Sequence, residues 1–445
     1  MEEKINAQAK KSDIIRDIKG TTTYLPQEQL IREHILKVLK AKFILYGFLP
    51  FESTILEFYD LAASKYGGGS EILKETYHLK DQGERDLCLR YELTFKLAKA
   101  FAMNPNTRLP FRRYEIGKVF RDGPVKSGRL REFTQCDVDV IGISEVIAEA
   151  EFMEMSSKVF NELGINVVIK INNKKILYGL INASKFNKES FSDVALTIDK
   201  LDKIGISGVE AELEEKKFPK ESIELLKVHM QQIGAIKENQ LLINYLSKAL
   251  NGKEEREGID ELKTLFNTLK HMDINCEIVL SPVLSRGLTY YTGFIWEVYA
   301  KELLSGSSIA AGGRYDEMVG LFVGSKMKFP AVGMTFGLDA IYAILSKKEP
   351  MHSPCPMVMI VYLEDKLSAI SLASQLRSEN ISSILSDKLK LNRAFEYANK
   401  SNIPYVCVIG KNEIETKTIT IKEMLSGNQQ SMTIDKLITY LKSKI

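Results

Sequence analysis

The sequence predicts an α/β protein of the α+β kind built from more than one domain, and three observations carry that expectation. At 445 residues the chain is longer than one hydrophobic core usually supports. Its first 173 residues and a later stretch from 273 to 346 carry most of the strand signals, and they are separated by about a hundred residues of helical, Lys/Glu-rich sequence. Its last ninety or so residues alternate short strands with helices, the pattern of a mixed sheet covered by helices.

Residues 1–18 read as a charged N-terminal extension without a buried face, and Lys19 to Pro26 as a loop. From Gln27 the apolar residues Ile31, Ile35, Val38, Leu39, Phe43 and Tyr46 recur at helical spacing until Gly47. Gly67-Gly68-Gly69-Ser70 reads as a loop, and Tyr77 to Leu79 and Asp86 to Arg90 as short strands. Arg90-Tyr91-Glu92-Leu93-Thr94 then turns into a helix marked by Leu93, Leu97, Ala98 and Phe101. Glu92 and Thr94 stand at that corner, either facing a cleft or serving the first helical turn. Between Arg108 and Arg131 there are eight Lys+Arg against only Glu115 and Asp122. The middle of this block reads as a hairpin loop between a strand ending near Phe120 and one starting near Arg131. Guanidinium forks on such a loop suit phosphate oxygens. In the second strand Gln135, Asp137 and Asp139 fall on one face, and polar acceptors there suggest a lined site rather than a plain core.

Ser144 is expected to cap a helix that Gly164 ends, and Val167 to Ile171 to form a strand. Residues 174–272 read as a helical insertion. Cys276 to Leu280 returns to strand and leads into Ser285-Arg286-Gly287-Leu288-Thr289-Tyr290-Tyr291-Thr292-Gly293-Phe294, followed by Ala310-Ala311-Gly312-Gly313-Arg314-Tyr315-Asp316. Arginine, paired tyrosines and a diglycine turn suit anions and flat polar rings; an ordinary half-buried hairpin is the plainer alternative. Pro330 to Asp339 enters a helix, and residues 347–356, with three prolines, form a linker.

Composition excludes several classes. The 44% hydrophobic and 27% charged residues are those of a globular protein, and no apolar run approaches the roughly 20 residues that span a bilayer. With a polar N-terminus, no membrane association and a cytoplasmic location are expected. Five scattered cysteines without a C-x-x-C pair, and five histidines without H-E-x-x-H, predict no metal held by protein His or Cys. The net charge of +3 sits after Met351, a weak hint of a basic C-terminal module. There is neither a P-loop nor G-x-G-x-x-G.

Four segments taken together resemble the histidyl-tRNA synthetase family: Arg90 to Thr94; the Phe120-Arg121 to Phe133 loop with Gln135 and Asp139; Arg286-Gly287-Leu288-Thr289-Tyr290-Tyr291; and Gly312 to Asp316. The R-G-L-x-Y-Y segment is specific to that family, whereas the arginine loop is shared by class II synthetases. The resemblance runs from Lys19 to the terminal helix. It implies a class II synthetase-like antiparallel sheet catalytic domain (19–173 and 273–346) with the helical insertion 174–272. After the linker it implies a C-terminal α/β anticodon-binding-type domain over 357–445.

The resemblance further implies a homodimeric histidine–tRNA ligase that uses ATP with Mg²⁺, activates L-histidine to histidyl-adenylate and charges tRNA(His). Arg121 and Arg286 would act on the α-phosphate and Arg129 toward the γ-phosphate. Glu92, Thr94 and Gln135 would take the α-ammonium, and Asp139, Tyr290, Tyr291 and Tyr315 would line the ring pocket. The sequence departs from the family at Thr54, where motif 1 carries proline, at Thr289, usually acidic, and at Ala340, where motif 3 carries an arginine packed on ATP. This last departure motivates an alternative, a catalytically impaired paralogue acting as a histidine-sensing regulatory subunit. Such subunits lack the C-terminal domain and the Arg286-type arginine.

Overall fold

The computed structural model describes residues 15–66, 71–125, 129–285, 290–303, 307–324, 328–347, 355–386 and 390–444. They form two compact units, one up to Glu349 and one from Pro350. Arg286 and Thr289, the loop at 67–70, the leader up to 14 and most of the linker lie outside the described residues.

The first unit opens with α1 (Pro26–Leu45), started by proline and by Glu28, whose carboxylate accepts the Leu25 N–H at 2.7 Å. Its Ile35, Val38, Leu39 and Phe43 are buried, and the chain leaves through Gly47 at φ +77°. Then come β1 (Leu49–Pro50), β2 (Leu56–Phe58), α2 (Tyr59–Tyr66), α3 (Glu71–Lys74), β3 (His78–Lys80), β4 (Asp86–Leu89) and α4 (Thr94–Met103). The long strands β5 (Phe111–Phe120) and β6 (Glu132–Ile141) flank the arginine-rich loop, and α5 (Ile147–Glu162) and β7 (Val167–Asn173) follow. Ser144 does not cap α5: that helix starts beyond Val146 with no side-chain cap.

Helices α6 (Lys174–Ala183), α7 (Phe191–Ile198), α8 (Leu201–Glu215), α9 (Lys220–Ala235), α10 (Asn239–Ala249) and α11 (Lys253–Leu269) come next. Leu177, Val194, Val209, Leu213 and Leu226 give the earlier helices a core of their own, whereas Leu242, Leu246, Ile259 and Leu262 of the later ones join the core behind the sheet. The unit closes with β8 (Glu277–Leu280), β9 (Phe294–Ala300), β10 (Ala310–Arg314), α12 (Met318–Val323), β11 (Ala331–Gly337) and α13 (Leu338–Leu345).

Among the described residues, eight strands make one sheet in the order β1-β5-β6-β11-β10-β9-β7-β8. Its interior is antiparallel, and only the edge pairs β1/β5 and β7/β8 are parallel. The expected diglycine turn is instead central strand. A Cβ at Gly312 would lie 2.4 Å from the Trp296 ring and 2.5 Å from the Gly333 carbonyl, so glycine permits the close packing of β9, β10 and β11.

The second unit holds a five-stranded sheet, β13-β12-β14-β15-β16, formed from β12 (Val358–Tyr362), β13 (Ser383–Leu385), β14 (Tyr405–Ile409), β15 (Ile419–Glu423) and β16 (Gln429–Met432). Helices Lys366–Ser378, Leu391–Lys400 and Ile434–Lys442 accompany it. Between β14 and β15 the chain forms a short helix, Lys411–Thr416, capped by Glu413 on the Gly410 N–H.

Candidate active site on the central sheet

Three strands present one face in register. Directly opposed residues of antiparallel strands share a side of the sheet. Arg113 of β5 therefore stands beside Asp139 of β6 and Gly333 of β11; Glu115 beside Asp137 and Thr335; and Gly117 beside Gln135 and Gly337. The glycines are spaces. A Cβ at Gly333 would fall 1.9 Å from Asp139 Oδ1, one at Gly117 2.2 Å from the Arg90 guanidinium, and one at Gly313 2.6 Å from the Tyr291 ring.

The polar layer on this face is buried and incompletely paired. Asp139 Oδ1 accepts the Tyr315 hydroxyl at 2.5 Å. Its Oδ2 lies 2.8 Å from an Arg113 nitrogen, an ionic contact without the alignment of a hydrogen bond, so this oxygen keeps lone pairs for another donor. Gln135 Oε1 and Asp137 Oδ1 likewise have no hydrogen-bond partner among the described residues. Glu115 is satisfied by Ser53 and Arg90. Arg90 and Arg113 thus face four buried acids, Glu92, Glu115, Asp137 and Asp139. Burial, followed by the neighbouring Asp139, pushes the Asp137 carboxyl well above the carboxylate range. Burial also raises Asp139, with Arg113 and the Tyr315 hydroxyl pulling against it. Burial and Asp139 hold the Tyr315 hydroxyl protonated. A surplus of acceptors behind aromatic walls suits a small ligand rich in N–H donors.

Glu92 accepts the Thr94 and Phe95 amides at 2.6 and 2.7 Å, so it caps α4 while standing at the edge of this layer. The rings of Tyr290, Tyr291 and Tyr315 cluster, with centroids 4.7 Å apart for the first two and 6.0 Å for Tyr290 and Tyr315.

At the other end of the strands Arg121 lies over the rings of Tyr91, at 4.2 Å, and Phe133, at 4.9 Å. Its Nε donates to the Tyr91 carbonyl at 3.3 Å. Arg129 is tied to Glu75 at 2.5 and 2.6 Å. Arg314 is drawn away from any anion-binding role: it is buried against Glu149 at 2.7 and 2.9 Å. Thr54 donates to the Leu56 carbonyl and accepts from Lys96. Near Ala340, Arg32 of α1 reaches Asp339 at 2.6 Å and the Thr134 hydroxyl at 3.3 Å. Asp339 also accepts the Tyr24 hydroxyl and the Thr134 amide, each at 2.7 Å.

Sequence reading did not single out Arg90, Arg113 and Glu115, which the structure puts on this face, nor the Arg32–Asp339 pair, which holds Thr134. For Arg113 and Glu115 a signal existed, alternation within the basic block; for Arg32, 307 positions from its partner, there was none.

The sequence profile described as histidyl-tRNA synthetase matches residues 20–341, and that of an anticodon binding domain residues 357–444. Histidine–tRNA ligase 1 of Bacillus anthracis is 45% identical over 429 residues, covering 96% of this chain and 100% of the relative. Histidine–tRNA ligase 2 of Shouchella clausii is 39% identical, covering 93% and 97%. The crystal structure of histidyl-tRNA synthetase from Nostoc sp. PCC 7120 superposes with a TM-score of 0.81 at 26% identity, over 97% of this chain and 99% of that one. With the family profile spanning most of the chain and relatives matching it nearly end to end, the chain belongs to the histidyl-tRNA synthetase family.

Proposed function

We propose that this chain is a histidine–tRNA ligase, and the observation that carries the assignment to its substrate is the buried row Gln135, Asp137 and Asp139 with open acceptor oxygens beside the tyrosine cluster. An α-ammonium and a ring N–H are the donors such a row accepts. Glu92, Thr94 and Gln135 take the ammonium, while Asp139, Tyr291 and Tyr315, with Tyr290 behind them, surround the imidazole. Pairing every polar atom of a substrate rejects analogues lacking one by up to about 10⁴–10⁵.

The carboxylate of bound histidine attacks the α-phosphorus of ATP. A P–O bond forms, the bond to the bridging oxygen breaks, and pyrophosphate leaves. Arg121 and Arg286 neutralise charge at the α-phosphate, and Arg129, released from Glu75, takes the γ-phosphate. Mg²⁺, arriving with the triphosphate, would neutralise charge on the leaving group. A hydroxyl of the terminal adenosine of tRNA(His) then attacks the activated carbonyl and releases AMP. The C-terminal unit reads the tRNA, and residues 174–272 form an insertion in the catalytic domain. The exposed apolar side chains Ile44, Leu45, Leu49, Leu56 and Phe58, close in sequence around β1 and β2, support a homodimer. Among the described residues no helix is long and apolar enough to cross a membrane, in keeping with a cytoplasmic enzyme.

Histidine-dependent ATP–pyrophosphate exchange by the purified protein tests the reading. Exchange well above background is expected, and its absence would return the histidine-sensing regulatory subunit as the better account. That alternative is disfavoured by the match of residues 357–444 to an anticodon binding domain. Truncation before Pro356 is expected to spare some exchange and impair tRNA charging.

A further inference from the structure

We propose that Arg113 is a positioning residue that determines specificity: it keeps Asp139 a hydrogen-bond acceptor for the substrate ring and fixes the spacing between the ring and ammonium ends of the pocket. The proposal rests on the reading of Asp139 as the ring acceptor. Arg113 sits on β5 opposite Asp139, with 1% and 3% of the two side chains exposed. One of its terminal nitrogens lies 2.8 Å from Asp139 Oδ2 and donates to the Leu93 carbonyl at 3.4 Å. The other lies 3.5 Å from Glu115. Leu93 is the residue between Glu92 and Thr94, so one planar guanidinium spans from the ring acceptor to the corner that faces the ammonium.

The charge environment makes this cation decisive. The groups acting on Asp139 are Arg113 and Glu115 from β5, Asp137 from β6, Glu92 from the start of α4, and Tyr315 after β10; Gly333 of β11 has no side chain. Asp137 holds a proton of its own, so the like charges are Glu92 and Glu115, and they add to burial in favouring protonation. A protonated Asp139 would present an O–H to the ring N–H, donor against donor. Tyr315 cannot correct the mismatch, because its own proton is already directed at Oδ1. Arg113 opposes protonation at the oxygen left for the ligand.

The test is histidine-dependent exchange by the full chain between pH 6.5 and 8.5. In the parent, kcat/KM for histidine is expected to stay level above the substrate's own imidazole pKa of about 6.5. In Arg113→Gln it is expected to fall about tenfold per unit as pH drops through the raised Asp139 pKa, with KM for ATP changed by less than about twofold. Arg113→Lys, which keeps the charge, should retain the level profile with a higher KM for histidine. Parallel profiles for Arg113→Gln and the parent, an equal loss for ATP and histidine, or an acid limb in Arg113→Lys as steep as in Arg113→Gln would each overturn the proposal. Unchanged KM for histidine in Asp139→Asn would instead sink the reading beneath it. If Arg113→Gln does not fold, infrared difference spectra of the parent on histidine binding decide. No protonated-carboxyl band that disappears in Asp139→Asn is expected, and such a band would refute the role of Arg113.

Discussion

Replacing Arg32 by alanine is expected to loosen the ATP side of the site without touching the histidine side. Arg32 and Asp339 are 6% and 15% exposed, and the guanidinium lies 3.9 Å from the centre of the Tyr24 ring. Removing one member of a buried pair costs about 3–5 kcal/mol. Asp339 keeps the Tyr24 hydroxyl and the Thr134 amide, each at 2.7 Å, so the lower end of that range applies. Loss of the contact with the Tyr24 ring adds about 1 kcal/mol. A total of about 4 kcal/mol lowers Tm by about 5 °C in a unit of this size. Thr134 precedes Gln135 and follows Phe133, the ring under Arg121, so slack at Thr134 reaches the proposed phosphate contact. KM for ATP should therefore rise about tenfold, a loss of about 1.4 kcal/mol, while KM for histidine stays within about twofold. Thermal unfolding together with pyrophosphate exchange at varied ATP measures both. A Tm within about 2 °C of the parent and an unchanged KM for ATP would refute the reasoning.

Gly313→Ala places a Cβ 2.6 Å from the Tyr291 ring and 2.7 Å from the Phe294 carbonyl; a stability loss of about 1–3 kcal/mol and a raised KM for histidine should appear in urea unfolding and exchange. Asp137→Asn should change the slope of stability with pH. A carboxyl raised by burial binds its proton in the folded chain but not in the unfolded one above about pH 4, so its contribution falls as pH rises. The variant should therefore gain on the parent between pH 5 and pH 8 in urea midpoints, and a constant difference would contradict the buried proton. Glu57 shows the opposite sign. Burial would raise it, but bonds from Lys96 and Lys99 outweigh burial and hold it below the usual range. Glu57→Gln should cost about 3–5 kcal/mol at neutral pH, narrowing as acid protonates the parent's carboxylate, and a difference that persists at low pH would exclude the ion pairs as its source.

Much of the fold was legible because its signals are local. The helix read from Gln27 to Gly47 is α1, Pro26–Leu45, and the strand read over Val167 to Ile171 lies within β7, Val167–Asn173. Alternation alone put Gln135, Asp137 and Asp139 on one face, and the structure buries all three. Other readings failed where the deciding neighbour is distant. Ser144 has capping chemistry but no helix start next to it. Gly312-Gly313 has turn composition, yet the adjoining strands and the Trp296 ring hold it extended. Glu92 reads from sequence as either cap or cleft residue, and in the structure it accepts the Thr94 and Phe95 amides of the cap while standing beside the acids.

By itself the sequence determined which residue types are present and their order along each strand, hence the family, the acceptor-lined face of β6 and the arginine-bearing hairpin. Tertiary structure decided which cation each acid meets. Arg314, beside two glycines and a tyrosine, looks built for an anion and is consumed by Glu149, 165 positions away, whereas Arg113, one of eight basic residues in its block, becomes the partner of Asp139. The reason is that strand periodicity sets the face a side chain takes, but its neighbour across the sheet follows from strand order and register. That order, β5-β6-β11-β10, joins segments some two hundred residues apart.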